Sequence, residues 1–353
     1  MGVMLNRKCK VSIDQVVRVF LLLLSVCAGG VYLEQGATTL NAARGIVLEG
    51  GAAESFQTSP QRKELLEFSA RCHEPSVLVC QGFDTSADYI RAKWPSSGLY
   101  PAADEILRGT MDTSVKASGK ASLRFEIPSH SPANAAGSWR QGMGREFGEG
   151  STFYVQFRQR FSKEMLKNNW GDTSWKQVIF HNAGATCADV ELTTGQYYRD
   201  GFPIMYTDCG GRLIATNAGV PPYKLEQGDY NCWYGEYNAK NCFLYPVDQW
   251  VTFYYQISIG HWGKPDSSIQ AWTALDGQTY KQWIKMPNFI LKNENPGKDY
   301  DTLTLLTYMT SKSLLISQPI AYTWYDELIV STAPIAPPAA SGQDSKGVTA
   351  SPQ

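Results

Sequence analysis

Along most of the chain, apolar and polar residues alternate with a period of two in short runs, and Gly, Pro, Asn and Asp separate the runs. That period turns successive side chains to opposite faces of an extended backbone, so it predicts strands with one packed face. The clearest runs are FYVQFRQRF at 153–161 and WVTFYYQISI at 250–259. Further strands are predicted over 76–84, 122–127, 176–181, 189–193, 202–207, 268–275, 302–309 and 322–331. Asp276-Gly277 marks a tight turn between two such runs. Helical periodicity is confined to a short segment around Arg62 to Ala70. Many short strands without a long helix predict an all-β sandwich of two packed antiparallel sheets, a jelly roll.

The two ends depart from this pattern. Residues 1–28 read as an export signal: Arg7, Lys8 and Lys10 are basic, residues 19–29 are apolar but short of a span, and Val26-Cys27-Ala28 offers small-residue cleavage. Leu24-Ser25-Val26-Cys27 also resembles a lipobox, so a lipoprotein is a second reading and an uncleaved anchor a third. The expected organisation is signal 1–28, linker 29–71, sandwich 72–333 and a disordered tail 334–353 rich in Pro, Ala, Ser and Gly. The mature protein is expected outside the cytoplasm (secreted, periplasmic or on the cell surface), as a monomer without a membrane span.

Composition narrows the function. A formal net charge of −1 argues against a partner bound through nucleic-acid phosphates. It leaves open an anionic polysaccharide bound in a local basic cleft. Six cysteines follow the signal, an even number that suggests disulfides in an exported chain. Local pairing is expected, as Cys72–Cys80, Cys187–Cys209 and Cys232–Cys242. No C-x2-C spacing supports a zinc site.

The stretch Trp175-Lys176-Gln177-Val178-Ile179-Phe180-His181 carries the most chemistry. Regular alternation puts Gln177, Ile179 and His181 on one face, with Lys176, Val178 and Phe180 on the other. A Gln and a His sharing a face fit the wall of a wet cleft better than a dry core. Tyr308 and Lys312 lie at the end of the 302–309 run, and WRQGMGREF supplies Arg140, Arg145 and Glu146. Together they suggest a site for an acidic sugar.

The order of these elements resembles the concanavalin A-like jelly-roll polysaccharide lyases, the broad group of alginate, heparin and glucuronan lyases. The resemblance runs from about residue 82 to 332. It rests on Arg145 and Glu146, FYVQFRQRFS, QVIFH, DQWVTFYYQISIG and YTWYDELIVST. Gln177 and His181 stand four apart where the family spaces them by two. The resemblance implies cleavage of a uronate polymer by β-elimination, with no cofactor required.

Such a reaction needs the sugar carboxylate neutralised, a base for the adjacent C–H proton and an acid for the departing oxygen. Arg145 and Gln177 are the expected carboxylate partners, His181 the base, and Tyr308 the acid or both acid and base beside Lys312. Each has a plainer reading: His181 satisfied by a backbone carbonyl, Gln177 bonded to a neighbouring strand, Tyr308 facing the core, Arg145 paired with Glu146 at the surface. Arg140 and Glu191 are further substrate contacts. Asp189-Val190-Glu191 also invites comparison with the laminarinase-like glycoside hydrolases, but Cys187 stands where their first Glu would be, and retaining hydrolysis needs two carboxyls. The aromatic loop 217–245 offers Trp233 and Tyr234 as a sugar-stacking platform. Asp84 and Asp326 are a candidate structural Ca²⁺ site of the kind related sandwiches hold. A lyase leads these readings, with a non-catalytic carbohydrate-binding module and a glycoside hydrolase as alternatives.

Overall fold

A computed structural model describes residues 60–90, 109–171, 175–182, 191–196, 203–207, 224–225, 232–233, 236–237, 243–291, 293, 297–309, 312–315 and 317–338. All of them fall in one compact unit, 56–353. The signal at 1–28, Cys187, Cys209, Cys242 and Tyr234 lie outside the described residues.

Strands are numbered in chain order. The larger sheet runs β14 (Lys281–Phe289), β13 (Ser267–Leu275), β12 (Trp250–Ser258), β5 (Thr152–Phe161), β16 (Ala321–Ser331), β3 (Ser122–Ile127) and β2 (Thr110–Asp112), with β1 (Val77–Gln81) also paired to β16. The smaller sheet runs β4 (Ser138–Phe147), β15 (Tyr300–Leu306), β6 (Trp175–His181), β7 (Glu191–Gln196), β8 (Pro203–Thr207) and β9 (Lys224–Leu225). All recorded strand pairings in both sheets are antiparallel. A separate two-stranded ribbon joins β10 (Cys232–Trp233) to β11 (Glu236–Tyr237). The protein is an all-β jelly-roll sandwich.

The alternation explains which faces meet. Phe153, Val155 and Phe157 of β5, with Phe253, Tyr255 and Ile257 of β12, face Val178 and Phe180 of β6 and Leu303 and Leu305 of β15 in one buried cluster. Phe180 stands edge-on to Phe153 and Tyr255, with ring centroids 5.6 and 5.8 Å apart, which ties the two sheets together. Each fully buried aromatic of this kind contributes about 1.5–3 kcal/mol.

The linker expected over 29–71 gives way at residue 60. Helix α1 (Pro60–Cys72) opens on a proline, whose fixed φ suits a first turn, and buries Phe68 against Tyr254, Ile329 and Ile335 on the outer face of the larger sheet. Ile335 also belongs to the packed unit, two residues past the boundary expected at 333. The Cys72–Cys80 disulfide fastens the end of α1 to β1.

Among the register shifts in the two sheets, those in β6 and β16 bear on the site and on the face opposite it. In β6 the register to β7 shifts between Lys176 and Val178. In β16 the register to β5 shifts between Asp326 and Ile329, where Glu327 has φ of 50°. Each bulge sets two consecutive residues on the same side of its sheet.

Candidate functional site

The bulge in β6 overturns the predicted faces of the WKQVIFH strand. Gln177 and Val178 both point into the sandwich. Gln177 is fully buried, donates to Gln159 Oε1 of the larger sheet, and accepts the Tyr255 hydroxyl at 3.3 Å. It therefore does not share a face with His181. Lys176 takes that place. Its Nζ lies 5.9 Å from the Tyr206 ring centroid and 5.7 Å from that of Tyr308.

Cross-strand pairing builds the outer face of the smaller sheet row by row. One row reads Arg140, Thr304, Ile179, Thr193, Tyr206 and Lys224 across β4, β15, β6, β7, β8 and β9. The adjacent row reads Gly142, Thr302, His181 and Glu191. Because side chains opposite one another in a ladder share a face, Arg140 and His181 lie on the same surface. Beyond Leu306, the Lys176 N–H donates to the Tyr308 carbonyl at 2.9 Å, bringing Tyr308 beside Lys176.

His181 is 5% exposed, and both its ring nitrogens are engaged. Nδ1 lies 2.7 Å from the Asn182 carbonyl and Nε2 lies 2.8 Å from Thr304 Oγ1. A carbonyl only accepts, so Nδ1 carries the proton and donates it to Asn182, and Nε2 accepts a hydrogen bond from the Thr304 hydroxyl. Burial holds the imidazole down to about 4; the Asn182 hydrogen bond opposes this, the positive charges of Arg140 and Lys176 reinforce it, and Asp301 opposes it. His181 is thus neutral near pH 7, with its lone pair directed at Thr304 instead of outward. That geometry suits a group that orients Thr304 better than a general base. Arg140 is itself pushed below its usual range by burial, against the pull of Asp301.

The other expected site residues lie elsewhere. Arg145 is exposed in a bulged stretch of β4, where four residues, 143–146, stand against Asp301 alone in the register to β15. Its guanidinium rests over Phe147, with Cζ 5.0 Å from the ring centroid, and Nε donates to the Glu146 carbonyl at 3.3 Å. Lys312 donates to the Pro128 carbonyl at 2.9 Å and to Ser131 Oγ, and sits over Trp170. Burial brings it down to about 8. The cation beside Tyr308 is therefore Lys176. Glu191 stands opposite His181 in the β6–β7 ladder, and Trp233 lies in the β10–β11 ribbon. The side chains of Glu191, Trp233 and Cys232 lie outside the described residues.

Asp84 and Asp326 do meet at one loop, but as clasps. Ala117 and Ser118 N–H donate to Asp326 Oδ2 at 2.7 and 3.3 Å, and Glu327 N–H donates to Oδ1 at 2.8 Å. Lys120 and Ala121 N–H donate to Asp84 Oδ1. Gly119, at φ +64°, is required between them, because a Cβ there would strike the Asp84 carboxylate. Carboxylate oxygens turned toward N–H donors do not fit a calcium cage, which needs several free oxygens converging on one point. Among the described residues, no three His, Cys, Asp or Glu side chains are grouped to hold a metal.

Lys176 and Tyr206 are the residues that sequence reasoning missed. A lysine inside a seven-residue strand that is buried throughout was a signal in itself, since such a charge requires a polar cleft on one face.

No protein-family model and no curated protein matches the chain. Among solved structures, the chain is similar to the marine alginate lyase from Aplysia kurodai, with a TM-score of 0.44 and 14% identity over 63% of this chain and 87% of that one. The endo-β-1,4-glucuronan lyase from the fungus Trichoderma reesei gives 0.42 and 13% over 64% and 87%. The catalytic domain of a glycoside hydrolase family 131 protein from Coprinopsis cinerea gives 0.42 and 13% over 76% and 100%. Similarity at this level assigns no activity to the chain, whose jelly-roll architecture stands on its own strand pairing.

Proposed function

We propose that the outer face of the smaller sheet binds a uronate-containing polysaccharide and cleaves it by β-elimination, in a protein exported through residues 1–28. The observation that carries this reading is the convergence of two cations, Arg140 and Lys176, and two tyrosine rings, Tyr206 and Tyr308, around a neutral His181. Arg140 would hold the sugar carboxylate through its planar fork and draw charge from the adjacent C–H. Tyr308, as the phenolate, would take the proton from that carbon, the carbon–oxygen bond to the next sugar would break, and the phenol so formed would give the proton to the departing oxygen, which restores the phenolate. A carbon–carbon double bond remains in the new chain end, so protons and electrons balance without a cofactor. The Lys176 ammonium lies beside the ring that carries the negative charge before the proton is taken and after it is returned. His181 and Thr304 would orient the floor of the site.

Incubating the mature protein with alginates, glucuronans, pectins and glycosaminoglycans, while following ultraviolet absorbance of unsaturated uronides, tests the proposal. A rise on one polymer is expected. Retention of a polymer on an affinity gel with no new chain ends would instead make this face a binding site. New reducing ends without unsaturation would make the protein a hydrolase. Either of these two results rules out elimination.

A further inference from the structure

We infer that Tyr325, a core residue of the opposite sheet, is a positioning residue for this face: its hydroxyl bridges the place where the β6–β15 ladder is broken and so fixes Lys176 and Tyr308 relative to Arg140. The inference rests on the reading of that face given above.

The break is visible in the pairing. Between Val178↔Leu305 and the next bridge, Trp175↔Met309, β15 has three intervening residues and β6 has two. Regular ladder bonds cannot continue through such a mismatch. The Tyr325 hydroxyl fills the gap, its one proton shared between the Gln177 carbonyl on β6 and the Leu306 carbonyl on β15, each 3.0 Å away. Past this point the ladder resumes with the Lys176 N–H bond to the Tyr308 carbonyl. Tyr308, assigned to proton transfer, and Lys176, the cation beside it, therefore lie beyond the break, while Arg140, Thr304 and His181 lie before it.

Tyr325 is well placed to hold this geometry. It is fully buried, its ring packs edge-on to Phe125 at 5.7 Å, and it leaves β16 two residues before the Glu327 bulge. Burial, with Tyr255 acting in the same direction, raises the phenol well above its usual range, so it remains a proton donor wherever the protein is folded. The Gln177 side chain adds a second tie from the β6 bulge to the larger sheet through Gln159, which in turn donates to Thr323 Oγ1 at 3.0 Å. Site geometry on one sheet is thus set by side chains of the other, through the core.

Tyr325→Phe keeps the ring and removes only the hydroxyl. On the cleaved polymer, kcat is expected to fall about a hundredfold with KM within about threefold, as for a small misplacement of reacting groups. Amide hydrogen exchange gives a readout independent of activity. In Tyr325→Phe the Lys176 amide, beyond the break, is expected to exchange at least about tenfold faster, while the Phe180 amide in the regular ladder keeps its protection. A Gln159→Leu/Gln177→Leu variant removes both polar partners of the second tie, keeps the core filled, and is expected to show the same selective loss more weakly. Equal acceleration at Lys176 and Phe180, or none at either, would overturn the inference. Failure of the unmodified protein to cleave any polymer would sink the proposed reaction, while the exchange result would still decide the role of Tyr325.

Discussion

The two outer faces of the sandwich both carry buried cations, and they treat them differently. On the larger sheet, Glu327 is 1% exposed and sits between two guanidiniums: Arg71 Nη2 is 2.5 Å from Oε2 and Arg158 Nη1 is 3.3 Å from Oε1. Arg158 also reaches Asp276, and α1, which carries Arg71, packs over this face. Glu327 occupies a left-handed backbone conformation at its bulge to meet both arginines. On the smaller sheet, Arg140 and Lys176 lie beside tyrosine rings, a neutral imidazole and Asp301. Opposite charges in close pairs satisfy one another and make a framework. On the smaller sheet Arg140 feels the opposite charge of Asp301, and Lys176 stands against two tyrosine rings, beside an imidazole that burial keeps neutral. The first face is architecture and the second is the proposed site.

That contrast breaks most visibly under substitution. Lys176→Met or Tyr308→Phe is expected to lower turnover by about 10²–10⁴-fold with polymer affinity retained, measured by steady-state kinetics and affinity electrophoresis. Glu327→Ala leaves two buried guanidiniums without their shared carboxylate and should cost about 3–5 kcal/mol in urea unfolding, with turnover per folded molecule unchanged. Loss of turnover without loss of stability in Glu327→Ala would reverse the assignment of the two faces.

Acid should weaken the fold through His181. Its folded value of about 4 lies below the ordinary 6.5, so between these limits the unfolded chain binds the proton and the folded chain does not. Stability is therefore full above pH 6.5 and falls as pH drops toward 4, by on the order of 3 kcal/mol. His181→Gln should flatten that part of the stability–pH curve, and an unchanged slope would show that the imidazole is not buried neutral. The smallest effect expected is a difference between two arginines of one strand. Arg140→Ala should raise KM about tenfold or more, while exposed Arg145→Ala should change it less than about twofold.

The fold was largely legible because alternation is a local count, and every run that the alternation singled out overlaps a strand of the structure. The strand β4 was harder to read because Ser138–Phe147 contains two glycines and two arginines and its face changes within a wide bulge. The short helix expected around Arg62 to Ala70 falls within α1, and the expected Cys72–Cys80 pairing is present. The faces of β6 were not legible. A bulge adds one residue to the count, and every side chain before it changes side, so the sequence pattern alone exchanged Lys176 and Gln177. What fixes the bulge, the Tyr325 hydroxyl and the Gln159–Gln177 pair, comes from strands distant in sequence, beyond the reach of a local pattern. Lys312 failed as a partner of Tyr308 for a related reason: its amine finds the Pro128 carbonyl and Ser131 Oγ, on a segment distant in sequence.

The most direct test of the central claim is the mass of the fragments released from a uronate polymer by the unmodified protein and by Lys176→Met. Elimination on the smaller sheet predicts new non-reducing ends lighter by one water than hydrolysis would leave, and their disappearance in Lys176→Met. Fragments carrying the full added water, or unsaturated fragments released undiminished by Lys176→Met, would contradict it.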